Sequence, residues 1–476
     1  MSRPTWPAAA LISGGMLGVI GARTSFSLNQ VAALSFTVQV ASAWYLMTRV
    51  APRKLSILGL FAGVWTIYFP LRLALITVSR MSPFYYDAVN TITDERLSEV
   101  WLILAGGFAL FVTGAACAGR RAAPRVLPQY RSLTHAQFIL IGLGGLTVAV
   151  LLRLLDLQSG LFSNVAAVSV VGIAGASFLE RRNPGTARFP SIVLAITAVL
   201  IGYQIGSKEA ALLPGAAWLI GRLLAGGRIR YRYIALSAIL LSLAFGAVQG
   251  QRSSTAYNRP IAGPAGALVA GLTEFDMATG LPQRYEGLGI VRNVFKGVLF
   301  RLKGADYFIA VSDRVPAPVP YQRGRSLWQP AVSAVPGNSL LFDIQPEYRQ
   351  LSLGRFVTQT FISDSSVNND SAQSMTYPGD FYLNFGSLGV LLGMAILGYL
   401  FRLLDNNIQL QDAMTAGFLS FVGLTLVAVD RNIAYVLVTS AIRVVVLNVI
   451  LALLLSAGRK RRSSRSPTIL PCTVDA

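Results

Sequence analysis

Apolar residues run along this chain in stretches long enough to cross a lipid bilayer, separated by short polar connections. A span needs roughly 20 predominantly apolar residues. Stretches near that length fall at 7–22, 29–49, 55–76, 98–119, 135–155, 160–180, 188–205, 208–226, 232–248, 382–403, 411–429 and 434–457. The pattern predicts an all-α polytopic membrane protein with about 12 transmembrane helices. Between Val248 and Phe381 the rhythm stops, and no membrane-length apolar run occurs. The expected organisation is nine helices in 1–248, one large extracytoplasmic loop in 249–381 between spans nine and ten, three helices in 382–457 and a basic tail in 458–476. The first run follows only Arg3 and lacks a convincing small-residue cleavage site, so it reads as an uncleaved span. At Gly206-Ser207-Lys208-Glu209 two short runs meet at charged residues. They read as two spans, with one broken helix as the alternative.

Inside the loop, Leu288, Val291, Phe295, Val298, Leu299 and Leu302 recur at helical spacing, with Arg292, Lys296 and Lys303 on the other side. That spacing predicts an amphipathic helix, either lying at the membrane interface or packing on the rest of the loop. From Pro316 to Pro346 prolines are frequent, which favours extended and turn structure. The stretch from Asp364 to Ser374 is rich in Ser, Asn and Asp and reads as solvated loop or lid.

Composition agrees with the membrane class: 53% of 476 residues are hydrophobic, 13% are charged and the mean hydropathy is +0.55. A formal net charge of +20 would point to nucleic acid in a soluble protein. Here the basic residues follow the rule that concentrates Lys and Arg on the cytoplasmic side. With the N-terminus inside, the even-numbered exits carry Arg49, Arg53 and Lys54; Arg120, Arg121, Arg125 and Arg131; Arg181, Arg182 and Arg188; and Arg222, Arg228, Arg230 and Arg232. The tail at Arg459-Lys460-Arg461-Arg462 is basic as well. Both termini are therefore expected in the cytoplasm and the long loop outside it, and nucleic acid is set aside as a partner. No internal repeat of the transporter kind is visible.

The chemistry open to the loop is narrow. Cys117 and Cys472 form no framework, and the single histidine, His135, sits at the cytoplasmic start of the fifth span. The chain carries no nucleotide-cradling Gly-rich loop, no nucleophile elbow and no His/Cys cluster at metal-ligand spacing. No metal or cofactor is expected. Arginine, lysine, carboxylates and tyrosine remain. They suit transfer from a phosphate- or pyrophosphate-bearing donor, with Arg forks on the leaving group and a carboxylate taking the acceptor proton. Substrate-binding candidates are Arg72, Lys208, Arg252, Arg301, Arg349, Arg355 and Arg431. Of these, Arg72, Lys208 and Arg431 stand out because they sit at span ends, where a charge marks a polar cavity. Base candidates are Asp343, Glu347 and Asp380, which adjoin apolar or aromatic residues. Asp380 has a second reading as a helix N-cap. Tyr307, Phe308, Tyr321, Trp328, Tyr348, Tyr377 and Tyr382 are candidates to stack on sugars, with packing as the alternative for many of them.

Val335-Pro336-Gly337-Asn338, Gln345-Pro346-Glu347, Leu353-Gly354-Arg355-Phe356 and Gly379-Asp380-Phe381-Tyr382-Leu383-Asn384-Phe385-Gly386, leading into Gly389-Val390-Leu391-Leu392-Gly393-Met394, resemble in order and spacing the Wzy-like O-antigen and exopolysaccharide polymerases. Gly206-Ser207-Lys208 is similar to a Gly-Ser-Arg element in that family, with lysine in the arginine's place. Gly337 stands where the family often has arginine, and Gly379-Asp380 stands where Gly-Glu is commoner. The resemblance implies a metal-independent, inverting glycosyl transfer in the bacterial cytoplasmic (inner) membrane. In it, a growing glycan leaves undecaprenyl pyrophosphate for a hydroxyl of the next lipid-linked oligosaccharide. A flippase and a chain-length regulator are the implied partners. The alternative reading is a transporter or flippase of a lipid-linked or anionic glycan. A related ligase is disfavoured by the lack of an outer-loop histidine. A polyprenyl-monophosphate-dependent transferase is disfavoured because the first outer loop, Gly21 to Gln30, holds Arg23 and no acid.

Overall fold

The computed structural model describes residues 26–51, 55–79, 93–119, 133–155, 164–183, 189–204, 208–226, 304–334, 360, 375–407 and 412–463. Among them all regular structure is helical. The helices are α1 (Leu28–Tyr45), α2 (Ile57–Thr66), α3 (Arg72–Ser79), α4 (Asp94–Ala118), α5 (His135–Leu154), α6 (Ser169–Arg182), α7 (Pro190–Gln204) and α8 (Lys208–Leu224). They continue with α9 (Gly304–Arg314), α10 (Arg325–Ala334), α11 (Tyr377–Asn407), α12 (Ala413–Phe418), α13 (Leu424–Leu426) and α14 (Ile433–Ser463).

Six helices are long and apolar enough to cross a membrane: Leu28–Val50, Ile57–Val78, Asp94–Ala118, His135–Leu152, Tyr377–Asn406 and Ile433–Leu453. Pro190–Gly202, Leu212–Leu224 and Ala413–Leu426 are apolar but shorter, and α6 has 14 residues. Six helices, not the expected twelve, thus reach bilayer length among the described residues. The other expected stretches either form these short helices or, at 7–22 and 232–248, lie outside the described residues. The two runs around Gly206 form separate helices, α7 and α8, which pack on each other. The predicted amphipathic helix from Leu288 to Lys303 also lies outside the described residues.

Helix starts follow local chemistry. The Ser56 hydroxyl accepts from the Gly59 N–H at 2.9 Å, Thr93 accepts from Arg96 at 3.2 Å, and Asp412 accepts from Thr415 at 2.7 Å. Each satisfies a donor that has no intrahelical partner. Pro70 interrupts the run from α2 into α3, and one π-helical turn, Ile67–Leu71, absorbs its missing N–H. The bundle is then closed by contact between small residues. A methyl placed on Gly114 of α4 would lie 2.0 Å from the Ala395 carbonyl oxygen of α11, and one on Gly398 would lie 1.9 Å from that of Phe111. The two backbones touch, which is how membrane helices gain contact without a hydrophobic driving force between them. Around this crossing Phe61, Phe111, Trp65 and Phe108 stack, with ring centroids 4.4 Å apart for Phe61–Phe111 and 5.0 Å for Trp65–Phe108.

Helix α11 organises both ends of the bundle. At its last turn Asp405 accepts from the N–H of Ile57, the first residue of α2, at 2.9 Å, and Arg402 and Asn406 donate to the Gly119 carbonyl that ends α4, each at 3.0 Å. At the other end the helix begins at Tyr377, five residues ahead of the expected start at 382, and it kinks at Gly386 (φ 67°, ψ −158°). Only glycine holds that conformation without strain. The kink separates a short polar segment, Tyr377–Phe385, from the long apolar one. Against this end sit α9 and α10. The proline-rich stretch expected to be extended is thus helical over Arg325–Ala334.

Candidate functional site

The cap end, where α9 and α10 meet the starts of α4, α11 and α14, collects the described polar groups that the sequence singled out. Arg72 opens α3 and is buried, as is Asp306 in the first turn of α9. The guanidinium grips the carboxylate with both arms, Nε to Oδ2 at 2.8 Å and Nη2 to Oδ1 at 3.0 Å. This planar fork-to-fork geometry is the strong form of the pair. It engages two of the donors that a leaving group would need, so Arg72 fastens the cap to the bundle. Asp306 escaped the sequence reading, although a carboxylate within Gly304-Ala305-Asp306-Tyr307-Phe308 is a charge in an apolar setting and therefore in need of a cation.

Two residues on from Asp306, the buried Phe308 meets the buried Tyr382 edge to face, with centroids 5.5 Å apart. Tyr382 is in addition a near neighbour of Arg96 and Glu99, which pair with each other at 2.5 Å in the first turns of α4. Phe308 and Tyr382 pack on each other, and the Tyr377 hydroxyl donates to the Leu426 carbonyl at 2.9 Å. Of the aromatic candidates in the described residues, Tyr321 and Trp328 are exposed and Tyr307 is half-buried.

Asp380 lies at the centre of a buried polar knot. One carboxylate oxygen accepts from Asn432 Nδ2 at 2.9 Å, and the other accepts from the Ile433 N–H at 2.8 Å, at the start of α14. Asn432 also donates to the Ser326 carbonyl at 3.2 Å, and its own Oδ1 accepts from the Tyr435 N–H at 3.0 Å. One turn on from Asp380, Asn384 donates to the Asp380 carbonyl at 2.7 Å and to the Ser326 hydroxyl at 2.6 Å, and accepts from the Gly324 N–H at 2.7 Å. Asp380 is thus a helix cap, but of the last helix and not of its own.

Arg431 sits half-buried in the turn just before α14, beside Asn432 of this knot, with its N–H donating to the Ala428 carbonyl at 3.2 Å. Lys208 opens α8. Arg252, Arg301, Asp343, Glu347, Arg349 and Arg355 lie outside the described residues. The structure therefore brings Arg72, Asp380, Tyr382 and Arg431 to one end of the bundle through Asp306, Phe308 and Asn432.

One charge inside a helix of membrane length was missed altogether. Arg443 lies ten residues into α14, about 15 Å along the helix at 1.5 Å per residue, and is buried. Its Nε donates to Asn164 Oδ1 at 3.0 Å and its Nη1 to the Phe421 carbonyl at 2.9 Å and to the Thr425 hydroxyl, while the guanidinium stands 5.2 Å from the Phe421 ring centroid. The signal was available: a lone arginine in Ala441-Ile442-Arg443-Val444-Val445 marks a functional or tightly packed position by its cost alone. Ser440, one turn earlier, buries a hydroxyl oxygen with no hydrogen-bond partner among the described residues. No family model matches the chain, and neither a curated protein nor a solved structure does.

Proposed function

We propose that this chain is a membrane glycosyltransferase that polymerises lipid-linked oligosaccharide repeat units, moving glycan from undecaprenyl pyrophosphate to the next unit at the outer face of a bacterial inner membrane. The twelve-span topology with a large outer loop belongs to the same proposal. The observation that carries the reading is the segment Gly379–Gly386. Its sequence is where the polymerase resemblance is densest, and its residues tie the polar cap helices to two membrane helices. Asp380, whose carboxylate accepts from Asn432 and from the Ile433 N–H, is given a positioning role in this reading, and the base is assigned to Asp343 or Glu347. The leaving pyrophosphate falls to Lys208, Arg252, Arg301, Arg349, Arg355 and Arg431.

The test is reconstitution of the purified chain in proteoliposomes with undecaprenyl pyrophosphate-linked repeat units as the only substrate. A ladder of polymer is expected, insensitive to chelator. Either Asp343→Asn or Glu347→Gln should lower its rate about 10²–10⁴-fold, the usual contribution of a positioned base. Absence of any chain extension by the wild type would refute the reading. A second reading, transport of an anionic lipid-linked glycan, draws support from Arg443, because ionisable residues inside membranes mark substrate and ion paths. That reading expects Arg443→Gln to stop translocation of a fluorescent lipid-linked glycan across the same vesicles.

A further inference from the structure

The long segment of α11 shows one continuous lipid-type face: Leu388, Leu392, Ile396 and Leu400 are all exposed and recur at four-residue spacing, and Phe385, just across the kink, is exposed as well. The face ends at the Gly386 kink, and there a turn of the cap rests on it. The Tyr321 hydroxyl and ring lie where a Gly386 methyl would go, at 2.8–3.3 Å, and the Phe385 ring end lies 3.9 Å from the position of a Gly324 methyl. The lipid-exposed face of α14, which carries Val445, Val449 and Leu453, likewise ends at its cap end in an exposed aromatic residue, Tyr435. Tyr321 (38% exposed) and Tyr435 (38%) thus stand where two apolar faces stop, and Trp328 (64%) is exposed on α10, which packs on α14. Tyrosine and tryptophan concentrate at that level in membrane proteins, because an amphipathic ring suits the headgroup layer.

The same turn carries positive charge. Arg323 and Arg325 are both exposed, no carboxylate occurs between Val315 and Ala334, and neither guanidinium is ion-paired among the described residues. Arg323 adopts a left-handed φ of 49°, followed by Gly324 at 94°. A non-glycine residue pays for that conformation and keeps it only where its surroundings enforce it. Here they do: the Gln322 N–H donates to the Leu383 carbonyl at 3.0 Å, the Gly324 N–H donates to Asn384, and Ser326 is held by Asn384 and Asn432. The buried knot around Asp380 fixes an exposed pair of arginines at the edge of the lipid-facing surface.

We propose that the turn Tyr321–Arg325 and helix α10 bind the phosphate headgroups of anionic phospholipids, with Arg323 and Arg325 at the phosphates and Tyr321 and Trp328 in the interfacial layer. This surface does not depend on the catalytic reading. A soluble sugar or a peptide would use the cations but not their continuity with the apolar face. A phospholipid uses both, since its phosphate and its acyl chain lie one above the other.

The experiment titrates the full chain, purified in neutral detergent, with phosphatidylglycerol or with phosphatidylcholine and follows the melting temperature. Phosphatidylglycerol should raise it more than phosphatidylcholine. Because each cation near an anionic lipid surface contributes about fivefold in affinity, the double variant Arg323→Gly, Arg325→Gln should bind phosphatidylglycerol at least about tenfold more weakly. Arg325→Lys should retain most of the effect. Glycine accepts the backbone conformation at 323, so the double variant keeps the fold. In vesicles of brominated phosphatidylcholine, Trp328→Phe should remove part of the tryptophan quenching seen in the wild type. The proposal is overturned by an equal shift from the two lipids, by an unaltered shift in the double variant, by stabilisation from a soluble sugar diphosphate in place of phosphatidylglycerol, or by unchanged quenching in Trp328→Phe.

Discussion

Arg72 and Asp306 show what a single charged residue in this chain is worth. The pair is buried, bidentate and 234 positions apart in sequence. Two opposite charges that share a dry site offset the cost of leaving water, whereas one alone bears it in full. Arg72→Ala and Asp306→Ala should each destabilise the folded protein by about 3–5 kcal/mol, read as a fall in the detergent melting temperature. The double variant should lose less than the sum of the two. Additive losses would show that the carboxylate and guanidinium do not depend on each other. The sequence singles out Arg72 as a charge near a span end, but nothing in the local pattern identifies a partner so distant. Asp380 was less legible: Pro378-Gly379-Asp380 suggests a cap for the helix it opens, whereas its carboxylate caps α14, which is a tertiary fact.

At the scale of elements, apolar runs placed helices where they are found because hydrophobic length is a property of contiguous residues. Runs of that kind do not disclose that several helices stop short of bilayer length, nor that α11 starts ahead of its apolar segment. Polar residues such as Asp380 and Asn384 lower the hydropathy of that first segment but are satisfied by tertiary bonds. Helix α10 was hidden for a similar reason, since prolines in its neighbourhood argue for extended chain. What joins elements is small-residue packing, most tightly between α4 and α11, where Gly114 and Gly398 each face a carbonyl at sub-contact distance. Gly398→Val therefore cannot be accommodated without parting the helices. A branched side chain there should cost about 1–3 kcal/mol or more, the usual penalty of overpacking. A cysteine pair placed across the α4–α11 crossing should then cross-link much more slowly than in the Gly398 parent. Gly215, with open space around it, supplies the control: Gly215→Val should leave that rate unchanged.

For the whole molecule, contacts between helix ends sort the termini into two groups, and the basic residues can be compared with that sorting. The Gly119 end of α4 meets Arg402 and Asn406 of α11, and Asp405 meets the start of α2. Glu180, at the end of α6, joins the start of α5 through His135 Nε2 at 3.2 Å and the start of α7 through the Ser191 N–H at 2.9 Å. These ends adjoin Arg53 and Lys54, Arg120 to Arg131 and Arg181 to Arg188, the clusters that the charge rule assigns to the cytoplasm. The cap with α9 and α10 lies at the opposite ends of α4, α11 and α14. Reporter fusions after Arg125 and after Arg228 should accordingly read cytoplasmic, and a fusion near Ser365 should read extracytoplasmic. A cytoplasmic signal at Ser365 would put Asp343, Glu347 and Arg355 on the wrong side for an outer-face reaction and end the polymerase proposal. It would leave the end-to-end pairing of helices intact, because those bonds hold whichever way the bundle faces.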